Sequence, residues 1–207
     1  MKLVTCEFGG GLIAGYVDGT DVVVCSEGAD ADYAVRHLIE AGAGTKAWSA
    51  SEGRRIPLAD VRMVAPIPTP LRDILCVGKN YHEHAKEFHS SGFDSSGKEA
   101  SPTAPIIFTK ATTSVVGPGD VVRGSLDPTG TVDYEGELGL VIGSKAFQVS
   151  KANAYDVIFG YVIINAVTSR ELQRKHTQWL LAKGIDLRRP VRPCTVAAAA
   201  VSTLTRP

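Results

Sequence analysis

The sequence has no excess charge of either sign: 22 lysines and arginines balance 22 aspartates and glutamates over 207 residues. A chain without a broad basic field has little to hold a nucleic-acid backbone or an anionic lipid surface, so neither is expected as a partner. Long apolar runs are missing as well. No stretch approaches the roughly 20 apolar residues that a membrane span requires. The opening Met-Lys-Leu-Val-Thr-Cys-Glu also meets charge too early for a secretory signal, and the expected compartment is the cytoplasm. Cysteine is scarce: Cys6, Cys25, Cys76 and Cys194 are scattered, with no Cys-x-x-Cys and no histidine at zinc-finger spacing. They read as reduced thiols at structural positions. The glycine run Gly9-Gly10-Gly11 lacks both a following helix signal and a phosphate-loop lysine, which excludes nucleotide binding of that type. There is no internal repeat, and the only biased segment is the alanine run at residues 197–200.

What is present is an ordinary apolar fraction of 44% in a chain long enough for one large domain, or a small one followed by a larger one. Residues 2–24 alternate short apolar runs with Gly9-Gly10-Gly11 and Asp18-Gly19-Thr20-Asp21, which predicts hairpins. Residues 32–41 carry Tyr33, Val35, Leu38 and Ile39 at helical spacing and predict one short amphipathic helix. Pro57, Pro66, Pro68 and Pro70 favour an extended connector. The expected organisation is therefore a small β-rich lobe over residues 1–66 and a larger domain over 71–207. In the second part, Ile74-Leu75-Cys76-Val77-Gly78 and Pro105-Ile106-Ile107-Phe108-Thr109-Lys110 read as buried strands. The polar passage over residues 82–102 between them reads as a functional lid whose first part forms a helical turn. Strands are expected again over residues 114–122 and 157–165, and one helix over residues 168–181.

The chemistry is carried by Asp133-Tyr134-Glu135-Gly136-Glu137, which runs directly into Leu-Gly-Leu-Val-Ile-Gly. Side chains two apart on a strand point the same way, so Glu135 and Glu137 converge on one side, with Asp133 beside them. The apolar continuation reads as buried on both faces, and two carboxylates at its mouth are costly without a cation. That context favours a metal site over a solvated acidic edge.

Several stretches together resemble the fumarylacetoacetate hydrolase superfamily. They are Gly78-Lys79-Asn80-Tyr81 with His84 and Glu87, the strand ending at Lys110, the run from Asp133 to Leu138, Asn165-Ala166-Val167-Thr168-Ser169-Arg170-Glu171-Leu172-Gln173, and Gln178-Trp179 with Lys183. The resemblance covers residues 71–186 and rests on the order and spacing of the whole set. It implies a mainly β protein, a mixed β-sandwich roll preceded by the small lobe, forming a homodimer. It also implies Mg²⁺ or Mn²⁺ held on three carboxylates. Two of these fall on Glu135 and Glu137, whereas the third falls on Ala166, where members of the superfamily have aspartate. Because Mg²⁺ keeps several waters and accepts one or two carboxylates plus substrate oxygens, the alanine is expected to weaken binding without abolishing it.

The implied substrate is a small diketo acid of the acylpyruvate or fumarylacetoacetate kind, whose C–C bond is cleaved through a metal-stabilised enolate. His84, oriented by Glu87, is the candidate general base. Lys183 is a candidate catalytic cation, and Arg170, Gln173 and Lys110 are candidate substrate-binding donors. Oxaloacetate tautomerisation or decarboxylation and dienoate hydration need the same enolate and stay open, as does a catalytically silent chain, given Ala166. Beyond residue 186 the sequence carries four arginines and no acidic residue, with Arg192 where the superfamily has glycine, so the last part of the roll is expected to be missing or replaced.

Overall fold

Two short turns set the first sheet of this computed structural model, which describes residues 1–41, 48, 52–92, 94, 102–184, 196–198 and 201–203. Strands β1 (Lys2–Phe8), β2 (Gly11–Asp18) and β3 (Asp21–Glu27) form an antiparallel meander. Gly9 and Gly10 take φ of +58° and +82° in the first turn, and Gly19 takes +61° in the second. These are left-handed conformations that glycine reaches without steric cost. The hairpins expected over residues 2–24 are therefore formed. The expected helix is α1 (Ala31–Glu40), which buries Ala31, Val35, Leu38 and Ile39.

Strand β1 is central, with Leu3, Val4, Thr5 and Cys6 all buried. One of its faces joins Ile13, Val22, Val24 and Ile56 in one core, the last from β4 (Arg55–Pro57). Leu3 turns to the other side, where α1 packs, and Ile67, Val141 and Phe159 complete that second core. Cys6, buried in apolar surroundings, has its thiol pKa pushed up to about 11. The short β5 (Arg62–Met63) pairs with β1, and Thr5 Oγ1 donates to the Pro66 carbonyl at 3.0 Å, so the proline-rich connector is tied to the sheet at its start.

The second half adds β6 (Ile74–Gly78), α2 (His82–Ser90), β7 (Ile106–Lys110), β8 (Val115–Val116), β9 (Val132–Asp133), β10 (Gly136–Ile142), β11 (Ile158–Ala166), β12 (Thr168–Ser169), α3 (Arg170–Lys175) and α4 (Leu180–Lys183). Strands β13 (Val196–Ala198) and β14 (Val201–Thr203) close the order. The main sheet runs β4-β3-β2-β1-β14-β11-β13-β8, with β10 also on β11, while β6 pairs with β7 and β9 with β12 in separate two-stranded ribbons. The protein is mainly β, as the sequence predicts. Among the described residues no helix is long and apolar enough to cross a membrane.

Four local expectations are corrected. The apolar run of β10 is not buried on both faces: Leu138, Leu140 and Ile142 are 54%, 52% and 52% exposed, while Glu137, Gly139 and Val141 face inward. Period-2 geometry splits the run into two faces, and composition alone does not show which neighbours each face meets. Leu75 and Val77 of β6 and Ile107 of β7 are likewise exposed. The helix expected over residues 168–181 is two, α3 and α4, separated where His176 takes an extended conformation. The strand expected over residues 114–122 is limited to Val115–Val116. The first part of the expected lid is the regular helix α2, and residues 93 and 95–101 lie outside the described residues, as do 185–195 of the altered tail.

Candidate active site

A break in the acidic strand creates the site. The ladder of β9 stops at Asp133 and that of β10 starts at Gly136, so Tyr134 and Glu135 lie between two strands that pair with different partners, β12 and β11. The turn in the chain sends Asp133 and Glu135 to the same guanidinium instead of along one strand face. Asn165 and Ala166, at the end of β11, fix Glu135 by its backbone: Glu135 N–H donates to Asn165 Oδ1 at 3.1 Å, and Ala166 N–H donates to the Glu135 carbonyl at 2.8 Å.

The Glu135 side chain is buried and held by two cations. Lys183 Nζ donates to Oε2 and Arg170 Nη1 to Oε1, each at 2.6 Å. Burial works to raise the Glu135 pKa, yet Lys183 and Arg170 together keep it below the usual glutamate value. Lys183 is itself buried, which lowers its pKa against the pull of Glu135. Its ammonium also donates to Thr168 Oγ1 at 2.9 Å and sits over the rings of Phe108 and Trp179, at 5.1 and 6.0 Å from their centroids. An ammonium has three N–H groups, and Glu135 and Thr168 take two of them.

Glu137 differs in kind. It is half-buried, faces inward from β10, and makes no ion pair among the described residues. Burial, then the neighbouring Glu135, raise its pKa above the usual value, and the opposing influence of Lys183, His84 and Tyr81 does not cancel them. A carboxylate poorly compensated beside another carboxylate is the donor set expected of a cation site. The fit is to two carboxylates: Ala166 is buried and offers only a methyl, and among the described residues no group of three or more histidines, cysteines, aspartates or glutamates is placed to hold a metal.

Both glutamates line a cavity of about 1030 Å³, together with His84, Lys110, Gln173 and Lys183. His84 stands on α2, stacked on Phe88 with ring centroids 6.1 Å apart, and its charged neighbour is Glu137. Glu87, one turn on, is exposed and outside the cavity lining, and among the described residues no hydrogen bond joins it to His84. The spacing of three places both residues on α2, but the helix turns only the histidine to the site.

Arg170 does not line the cavity either. Its Nε and Nη2 contact Asp133 Oδ2 at 2.9 and 2.8 Å, and Nη1 also donates to Gln173 Oε1 at 3.1 Å, so the guanidinium sits behind the carboxylates. Asp133 is thus drawn to Arg170 and does not line the cavity. Lys110 is completely buried, its Nζ donating to the carbonyls of Val167 at 3.0 Å and Lys183 at 2.6 Å. That contact ties β7 to the segments carrying Thr168 and Lys183.

Sequence reasoning assigned no role to Tyr81, Thr168 or Trp179. Tyr81 Oη accepts the Leu138 N–H at 3.2 Å beside Glu137. Trp179 meets Phe88 and Phe108 edge-on, at 5.9 and 5.3 Å between centroids, and joins α2 to β7. A Cβ on Gly78 would come within 2.6 Å of Trp179 Cζ3, so glycine is what admits the indole. The quoted motifs contained these residues, but nothing in their spacing shows the contacts.

Residues 73–206 match the profile described as fumarylacetoacetate (FAA) hydrolase C-terminal. Oxaloacetate tautomerase YisK of Bacillus subtilis (strain 168) is 41% identical over 145 residues, 70% of this chain and 46% of its own length. The chain thus spans about half the length of that curated relative. The fumarylacetoacetate hydrolase from psychrophilic Exiguobacterium antarcticum has a similar structure, with 30% identity and a TM-score of 0.71 over 98% of this chain and 66% of the other. Maleylpyruvate hydrolase from Sphingobium sp. SYK-6, solved with manganese (II) and pyruvate, shares the fold at 23% identity, with a TM-score of 0.68 over 98% of this chain and 67% of that one.

Proposed function

The chain belongs to the fumarylacetoacetate hydrolase family, and from that premise we propose that its cavity takes a small diketo acid and cleaves the C–C bond between the two carbonyl carbons' shared neighbour and the acyl group. The observation that carries this reading is the unequal carboxylate pair at one cavity: Glu135 anchored by Lys183 and Arg170 with lone pairs to spare, Glu137 without an ion pair among the described residues and raised in pKa. Glu135 and Glu137 would hold Mg²⁺ or Mn²⁺, with substrate or water oxygens in place of the carboxylate that Ala166 lacks. When bound, the ion supplies Lewis-acid stabilisation of enolate charge.

The rest of the work falls to the chain's own groups. His84 takes a proton from a water, and the resulting hydroxide adds to the acyl carbonyl. The C–C bond then breaks, its electron pair passes into the pyruvate enolate, and protonation at carbon completes the keto acid, so that acylpyruvate plus water gives a carboxylic acid plus pyruvate. Lys183 lines the cavity as the cation for the anionic substrate. Lys110 holds the carbonyls of Lys183 and Val167, and Gln173 lines the same cavity. Arg170 acts by fixing Glu135. The exposed apolar face of Leu138, Leu140, Ile142 and Ile163 supports a homodimer.

Acetylpyruvate and enol-oxaloacetate, each followed by the loss of enol absorbance with Mg²⁺ present, test the reading. Pyruvate and acetate released from the first, and abolished by Glu137→Gln, are the expected result. A folded protein that turns over neither substrate with Mg²⁺ or Mn²⁺ would sink it. Tautomerisation of oxaloacetate without net hydrolysis is the second reading, favoured by the 41% identity to the tautomerase.

A further inference from the structure

Helix α3 is short, and its own N-cap residue, Ser169, gives it no side-chain hydrogen bond. The first-turn amides of a helix have no acceptors inside it. Here they are met from a different segment. Arg170 N–H donates to the Thr131 carbonyl at 3.0 Å, and Glu171 N–H donates to Thr131 Oγ1 at 2.9 Å. Thr131 is in turn fixed by Asp127, a buried carboxylate whose Oδ2 accepts the Thr131 N–H at 2.8 Å and lies 3.4 Å from Thr131 Oγ1. Asp127 Oδ1 accepts both the N–H and the hydroxyl of Thr129, at 2.9 and 2.6 Å. Thr129 Oγ1 is 2.7 Å from Thr131 Oγ1, so polar oxygens surround the Thr131 hydroxyl and leave its lone pair to Glu171.

We infer that Thr131, held by Asp127, is a positioning residue that caps α3 from outside and thereby aims Arg170 at Glu135. Arg170 is the first residue of α3, so the direction of its side chain follows the helix start that Thr131 pins. Its guanidinium then spans Asp133 Oδ2 and Glu135 Oε1, at 2.9 and 2.6 Å. Among the described residues Thr131 makes no hydrogen bond to a residue lining the cavity; it works through Arg170. The inference rests on the proposed function only in taking Glu135 as a site carboxylate.

The paired variants are Thr131→Val, which removes the acceptor at nearly constant volume, and Thr131→Ser, which keeps it. The probe is oxalate with Mg²⁺, a small dianion able to chelate the ion, titrated calorimetrically. Thr131→Val is expected to weaken oxalate binding about fivefold, a loss within the range of a missing helix cap. Thr131→Ser should stay within about twofold of the unmodified chain. Equal losses in both variants, or none in Thr131→Val, overturn the inference.

Amide hydrogen exchange in the unmodified chain gives a second readout that does not depend on ligand or variant. Glu171 N–H should be protected about 100-fold despite its first-turn position. Exchange at the unprotected rate refutes the cap, whereas failure of the unmodified chain to bind oxalate refutes the functional reading and leaves the exchange result to decide on Thr131.

Discussion

Replacing Lys183 by methionine removes the ammonium and keeps most of the stem volume. The Lys183 Nζ to Glu135 Oε2 distance of 2.6 Å corresponds to a gross attraction of about 6 kcal/mol at an effective dielectric near 20. Desolvation of the two buried ions offsets several kcal/mol of this, so the pair's net worth is small, but losing one partner strands the other. Stranding a buried carboxylate costs about 3–5 kcal/mol, and because Arg170 stays on Oε1 the expected loss lies at the low end, about 3 kcal/mol. For a chain of this size that lowers Tm by roughly 6–12 °C. Glu135→Gln strands Lys183 in the mirror sense and should cost a similar amount. The double variant should then cost far less than the sum, giving a coupling of about 2–3 kcal/mol. Urea unfolding of all four proteins at pH 7 without added metal, followed by far-ultraviolet circular dichroism, measures this cycle. Single-variant losses that add within about 0.5 kcal/mol would show that the two groups do not interact, and the electrostatic account of the site would fall.

Ala166→Asp should tighten Mn²⁺ binding about tenfold by calorimetry, and in the absence of ions should destabilise the fold by about 2 kcal/mol through an added buried carboxylate; unchanged affinity refutes the view that Ala166 occupies a ligand position. Burial works to raise the Asp127 pKa, but its hydrogen bonds to Thr129 and Thr131 leave it below the usual aspartate value. A depressed native pKa means the unfolded chain binds the proton more readily, so this stabilisation is present above about pH 4 and lost as pH falls through the native value. Asp127→Asn should therefore flatten the acid limb of the stability profile, and an unaltered limb counts against it. Gly78→Ala should push the Trp179 indole aside and cost about 1–3 kcal/mol, with a red-shifted tryptophan emission, since its Cβ would lie 2.6 Å from Cζ3; unchanged emission and stability would refute the close packing.

The parts of the fold legible in the sequence are those written in local chemistry. Gly9-Gly10 and Asp18-Gly19 encode their turns, and Val35, Leu38 and Ile39 encode the buried side of α1, because turn conformation and helical period depend on neighbours in sequence. The candidate site was legible in part as a list of residues and much less as a geometry. Glu135, Glu137, His84 and Lys183 do meet at one cavity. The break at Tyr134 and the commitment of Arg170 to Asp133 and Glu135 depend on which strand pairs with which, β9 with β12 and β10 with β11, and that is a tertiary choice. The same limit explains β10: alternation marks two faces, but Leu138 and Leu140 carry no sign of which one stays uncovered.

The register Lys2↔Ser202 ties residues 200 positions apart. A ribosome adding about 5–20 residues per second releases β1 some tens of seconds before its late neighbour exists. Through that interval this margin of β1 has, among the described residues upstream of β14, the short Arg62–Met63 pairing against it and is otherwise open to stray partners. Completion of this edge of β1 therefore waits for Val201–Thr203, and slower elongation lengthens the period in which a holding chaperone matters most.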